Sequence, residues 1–263
     1  MGDAVQGDPA LTYGRYLALD ELLALQRPVS SPLHADELLF IVVHQASELW
    51  FKVILHELDR LIDALIAADP ATALAGLGRL NALMRIVADQ LSALETLPPQ
   101  RFAEFRGYLG TSSGSQSEQF RAIEAASGLR DPHFLRVLEE HGALPAVVAR
   151  ALARPSLQAL FEGLLAAHGL TLDAVYREGG DARTPVFLLA EGLLEYEQGF
   201  ARWRFLHVQL VERIIGPATG GTGGTLGARY LQRTVGQRFF PDLWAVRTRL
   251  YAGITAAPPT PEH

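Results

Sequence analysis

The chain contains no cysteine. That removes disulfide frameworks, iron–sulfur clusters, thiolate zinc sites and thiolate-ligated haem. A basic surplus is missing too: 23 Lys and Arg against 29 Asp and Glu leave a formal charge of −6, which argues against a polyanion-binding surface and sets nucleic acid aside as a partner. Period-2 apolar runs bounded by turn residues are nearly absent, and no internal repeat is found. The opening MGDAVQGDPA has neither a basic n-region nor an apolar h-region, and Gln6 breaks the myristoylation pattern. The stretch LPAVVARALARPSLQALFEGLLAA is interrupted by Arg150, Arg154 and Glu162. The expectation is therefore a cytoplasmic protein with nothing spanning a bilayer.

What is present is helical periodicity. At 263 residues, 49% hydrophobic and 20% charged, the chain can bury a large core. Apolar positions recur at helical spacing over 11–25, 36–69 and 72–97, with Pro28, Pro32, Pro70, Pro98 and Pro99 punctuating the ends. A short helical turn is expected at 102–110, before the polar TSSGSQSEQF. Further helices are expected at 116–127, 132–141, 144–152, 155–168, 184–215, 226–235 and 241–252. The fold class is all-α, a single-domain helical bundle over 1–256 with a disordered tail at 257–263. Glycine gathers in TGGTGGTLG (219–227), read as a mobile loop between helices; it lacks the GK[ST] ending of a P-loop.

Among the eight histidines none has Glu three residues before it, so the Glu-x-x-His pairs of di-iron bundles are missing, and HELDR is not HExxH. His44 stands out in FIVVHQASELWFK, on one helical stripe with Phe40 and Glu48. A neutral histidine needs a donor and an acceptor partner, so His44 reads as a satisfied core residue, a metal ligand or a group waiting for a substrate. His207 lies mid-helix amid Phe200, Trp203, Val211 and Ile214; it reads as a core histidine or a proximal haem ligand. Arg106, one turn after Phe102, is either a surface arginine or a carboxylate clamp.

Taken together, several segments carry a resemblance. TYGRYLALDELLALQ, HADELLFIVVHQASELWFKVILHELD, FAEFRGYLGTSSGSQSEQFR, RWRFLHVQLVERIIG, GTGGTLGARYL and FPDLWAVRTRL resemble, in order and over nearly the whole chain, the tryptophan 2,3-dioxygenase family. The resemblance implies haem b (iron protoporphyrin IX) as cofactor, L-tryptophan or another indole-containing amino acid and O2 as substrates, and a homotetramer. It implies His207 as the axial ligand of the haem iron and Ser113 as a residue near the haem. His44 becomes the acceptor for the indole N–H, in a run with Ile41, Val42 and Val43 on the substrate side. Phe40 and Phe102 become aromatic walls, Leu109 a pocket residue, Arg106 the partner of the substrate carboxylate, and Thr222 a loop contact to the amino-acid end. Tyr13, Tyr16 and Leu17, within 11–26, would reach into a neighbouring subunit's site.

The chain departs from that pattern in three places. SSGSQSEQ places Ser115 where the family usually has an aromatic residue, and Glu118 where it has an apolar one. The glycine loop is one residue longer before GTGG, with Thr225–Leu226 in place of Ser–Ser. The usual lysine near the loop's start is absent, with Pro217 and Ala218 there instead. Losing a ring leaves room for water, a larger substrate or a new hydrogen bond. The expected activity is 2,3-dioxygenation to N-formylkynurenine; the alternatives are a haem monooxygenase acting on tryptophan or a methylated derivative to give an oxindole-type product, and a non-catalytic haem sensor.

Overall fold

The computed structural model describes residues 10–130, 144–217, 219 and 228–255, and all regular structure among them is helical. The predicted helix at 132–141, the glycine loop over 220–227 and the tail lie outside the described residues. Helices α1 (Tyr13–Leu17) and α2 (Leu19–Leu23) open the chain, followed by α3 (Glu37–Ile66), α4 (Pro70–Asp89), α5 (Pro99–Arg106) and α6 (Glu118–Ser127). Then come α7 (Ala146–Leu152), α8 (Leu157–Ala167), α9 (Leu172–Ala182), α10 (Pro185–Ile215), α11 (Ala228–Val235) and α12 (Pro241–Thr255).

Three long helices form the frame. Helix α3 runs antiparallel to α10, since Phe51 packs on Trp203 while Val43 clusters with Leu210 nearer the other end. Helix α4 lies against both. Its start is fixed by Asp69, which accepts the Thr72 N–H at 3.1 Å, and by Pro70 in the first turn. The backbones of α4 and α10 come close because α10 carries glycine at the contact. A Cβ at Gly192 would lie 2.5 Å from Leu77 Cδ2, and one at Gly199 would lie 3.1 Å from Met84 Cβ. Ile54, Leu58, Leu61, Leu77, Leu80, Met84, Leu193 and Phe200 fill the shared core.

Several boundaries differ from the expectation, each for a local reason. The segment 11–25 splits at Ala18, which adopts a left-handed conformation (φ 49°). The helix expected over 72–97 ends its α-helical part at Asp89 and tightens to a 3₁₀ turn over Gln90–Thr96. There the Ser92 and Thr96 hydroxyls donate to the carbonyls three residues back, at 2.7 and 2.6 Å. Helix α9 was not anticipated; Thr171 caps it by accepting the Ala174 N–H at 3.1 Å, and the Gly179–Gly180 pair masks its apolar period. Helix α3 also corrects the expectation that no segment could span a bilayer: by length and mean hydropathy (30 residues, 1.6) it is apolar enough to do so. One face of it is the core just described.

A buried carboxylate ties α12 to this frame. Glu197, 2% exposed, accepts the backbone N–H groups of Phe239 and Phe240 at 3.1 and 2.7 Å and the Trp244 indole N–H at 2.8 Å. Replacing Glu197 by Ala strands these donors in the core, and we expect a loss of about 3–5 kcal/mol in urea unfolding. Conservative burial of a neutral acceptor in Glu197→Gln should cost less.

Candidate functional site

A cavity of about 1070 Å³ opens between α3 and α10, closed at its ends by α5 and by the start of α6. Its wall includes Phe40, His44, Glu48, Phe51, Phe102, Arg106, Trp203 and His207. Of the residues singled out in the sequence, Phe40, Val42, Val43, His44, Phe102, Arg106, Ser113 and His207 meet here. Ile41 and Leu109 are not on the wall; Leu109 packs behind Phe102. Tyr13, Tyr16 and Leu17 are exposed on the chain's surface, away from its own cavity, and Thr222 lies outside the described residues.

The α5 end is built on aromatic packing. Phe40, Phe102 and Phe105 form a triangle with ring centroids 5.3 to 5.7 Å apart. Charge pairs pin α5 to the chain entering α3: Arg101 Nε donates to Asp36 Oδ2 at 2.9 Å, and His34 Nε2 meets Glu104 Oε2 at 2.8 Å. Because His34 Nδ1 accepts the Asp36 N–H at 3.2 Å, its proton resides on Nε2 and is donated to Glu104. The clamp places Arg106, the last residue of α5, on the cavity wall.

His44 is held by its own helix. Its Nδ1 lies 2.7 Å from the Phe40 carbonyl oxygen. A carbonyl only accepts, so Nδ1 carries the proton and Nε2 is left as an acceptor. The ring is accessible through the cavity yet surrounded by protein, its centroid 4.2 Å from that of Phe40 and tilted 39° to it. That crowding pulls its pKa below the ordinary histidine value; its carbonyl hydrogen bond and Glu48 oppose the shift without reversing it. His207, opposite on α10, stacks on Trp203 with centroids 5.1 Å apart. Burial, with a smaller contribution from His44, pushes its pKa down to about 4, so it stands neutral with a lone pair to offer.

Could this site hold haem? Among the described residues no three His, Asp or Glu side chains converge on a point, so His44 and Glu48 remain a pair. A porphyrin iron needs only one protein ligand, and neutral His207 on an apolar wall meets that need. Two buried donors on the same wall, Trp203 Nε1 and Arg204 Nε, have no hydrogen-bond partner among the described residues. Arg204, 3% exposed, spends its other nitrogens on Glu124 Oε1 (2.6 Å) and the Gln237 carbonyl (3.2 Å). Unmatched donors beside a large apolar cavity suit a flat, mainly apolar group with acidic edges. The residues fit haem.

Sequence reasoning singled out Ser113 and Ser115 on this side of the wall but missed Gln119 at the start of α6. Gln119 Nε2 donates to both the backbone carbonyl and the carboxylate of Glu48, at 2.8 Å each. Ser113 and Ser115 pair their hydroxyls at 3.0 Å. The stripe of Phe40, His44 and Glu48 pointed to Glu48, but nothing local indicated that α6 would cross it. On the other side, α2 contributes Leu22 and Leu23, and the segment after it docks through Gln26 Nε2, which donates to Gln45 Oε1 at 2.6 Å.

Residues 3–141 and 159–250 match the family described as tryptophan 2,3-dioxygenase. The chain is similar to the tryptophan 2,3-dioxygenase of Anaeromyxobacter dehalogenans, 42% identical over 272 residues that cover 95% of this chain and 100% of the relative. It is 41% identical to that of Kineococcus radiotolerans over 262 residues, 91% of each chain. With that of Caulobacter vibrioides it shares 40% identity, over 91% of this chain and 98% of the relative. One test needs no ligand. Since burial holds His207 neutral down to about pH 4, against 6.5 for a free side chain, the unfolded state binds the extra proton first. Stability of the haem-free protein should therefore fall as pH drops from 6.5 towards 4, and His207→Phe should flatten that slope in denaturant titrations.

Proposed function

The chain belongs to the tryptophan 2,3-dioxygenase family, and we propose that it opens the indole ring of L-tryptophan, adding both atoms of O2 to give N-formylkynurenine. Family membership implies haem as the cofactor and tryptophan and O2 as substrates. The observation that carries the reading is the convergence of Arg106, the Phe40–Phe102 wall, the Nε2 acceptor of His44 and neutral His207 on one cavity. A haem sensor without catalysis would have no need of that convergence.

His207 would hold the iron, and the unmatched donors of Trp203 and Arg204 would be available to the acidic groups of the cofactor. Haem, when bound, supplies the redox-active iron that activates O2. The protein's own residues do the rest. Arg106 pairs with the substrate carboxylate, a charge that an apolar cavity otherwise rejects. Phe40 and Phe102 flank the flat indole. His44 Nε2 accepts the indole N–H, and because Nδ1 is committed to the Phe40 carbonyl, the ring presents that acceptor without a change of protonation. Closing the apolar wall around the substrate keeps water from the reacting carbons.

The finer roles extend to assembly and to the glycine loop. Tyr13 and Tyr16 are 76% and 72% exposed and do not line their own cavity, which supports the proposal that they and Leu17 cover a neighbouring subunit's site in a homotetramer. Thr222 is proposed to contact the amino-acid end of the substrate.

The decisive experiment is mass spectrometry of the product formed under labelled O2, without reductant after priming. We expect both labelled atoms in N-formylkynurenine; a single labelled atom would overturn dioxygenation in favour of mono-oxygen insertion. Arg106→Leu should raise KM for L-tryptophan by about 100-fold or more, as expected when a carboxylate loses its charged partner in an apolar site. His207→Ala should abolish the Soret band, and His44→Ala should retain it while lowering kcat/KM.

A further inference from the structure

We propose that the end of the cavity opposite Arg106 recognises a hydrogen-bonding substituent, a hydroxyl, on the six-membered ring of the substrate's indole. The proposal rests on the dioxygenase reading above and names the substrate class more narrowly. Its basis is the order of groups along α3. Phe40, His44 and Glu48 stand one helical turn apart on a single stripe, steps of about 6 Å. Helix α5 with Arg106 packs at the Phe40 end through Phe102. The start of α6 packs at the Glu48 end, where Gln119 grips Glu48. A tryptophan with its carboxylate at Arg106 and its N–H at His44 directs its six-membered ring towards Glu48.

An unsubstituted ring carries nothing to meet what waits there. Gln119 spends both amide N–H groups on Glu48, one on the carbonyl and one on the carboxylate, which fixes the carboxylate and leaves most of its acceptor positions open. In the Ser113–Ser115 pair one hydroxyl proton bridges the two oxygens, and the Ser115 N–H also points to Ser113 Oγ at 3.4 Å. The second hydroxyl proton is left over for an acceptor. Ser113, Ser115, Gln119 and Glu48 all line the cavity. This part of the wall thus offers a spare hydroxyl donor and a fixed carboxylate acceptor, on a cavity that Phe51 and Phe120 also line. A ring hydroxyl is both donor and acceptor and satisfies both; a methyl group of similar size satisfies neither and leaves them desolvated. The hydroxyl of Ser115 occupies the position where the family pattern has an aromatic residue.

The test is binding to the haem-loaded ferric protein, read from the Soret shift, for the 5-, 6- and 7-hydroxy-L-tryptophans and the matching methyl compounds. We expect at least one hydroxy isomer to bind about tenfold tighter than its methyl partner. Ser115→Ala, which leaves the Glu48 acceptor in place, should lower that ratio by about threefold, and Ser115→Thr, which keeps a hydroxyl, should retain it; haem content and the Soret maximum of each variant report whether it has folded. If no hydroxy isomer exceeds its methyl partner in the unaltered protein, or if Ser115→Ala leaves the ratio undiminished, the proposal is overturned. Turnover of unsubstituted L-tryptophan, followed alongside, separates the two readings. Formation of N-formylkynurenine without a hydroxyl preference overturns the ring recognition alone. Absence of oxygenated product from every compound overturns the dioxygenase reading.

Discussion

The antiparallel apposition of α3 and α10 is the constraint on which the site depends. It sets His44 and His207 on facing walls and keeps both neutral by surrounding them with apolar side chains. Helix α4 acts as the third member, and glycine at 192 and 199 lets it sit close enough to leave no slack in the frame. The packed core lies at one end of these helices, around Ile54, Leu58 and Leu193. At the other end the same helices part around the cavity. Rigidity at one end and separation at the other are properties of a single pair of helices.

Two carboxylates buried in this protein are placed where they join elements, and each gathers several partners. Glu197 gathers four donors, from Arg238, Phe239 and Phe240 leading into α12 and from Trp244 in its first turn. Glu124 takes a guanidinium from Arg121 at 2.8 Å and another from Arg204 at 2.6 Å. Against that background the unmatched nitrogens of Trp203 and Arg204 are conspicuous, because they occur on the cavity wall. Their lack of partners is a property of the site rather than of careless packing.

Much of the fold was legible from the 3.6-residue period and from proline punctuation, since Pro70, Pro98 and Pro99 mark real ends. The splits were not. Ala18 carries no turn signature, and the tightening after Asp89 depends on the Ser92 and Thr96 hydroxyls competing for backbone carbonyls, which periodicity does not register. At the site, the residues on α3 and α10 could be read because each faces along a stripe of its own helix. Phe102 and Arg106 needed the resemblance, since an isolated eight-residue helix says nothing about what it will cover. Glu48's partner could not be foreseen at all, because the contact joins residues 71 positions apart.

The hydrogen bond from His44 to the carbonyl of Phe40 has a consequence for how this protein tolerates change. In many sites a histidine is oriented by a second side chain, and one substitution there is enough to turn the ring or move its proton. Here the orienting group is the peptide backbone of the same helix, one turn away. Amino-acid replacements can alter the surroundings of that carbonyl but cannot delete it. The direction of the acceptor is thus inherited with the helix itself, and the wall around it is free to vary while the point of recognition stays where it is.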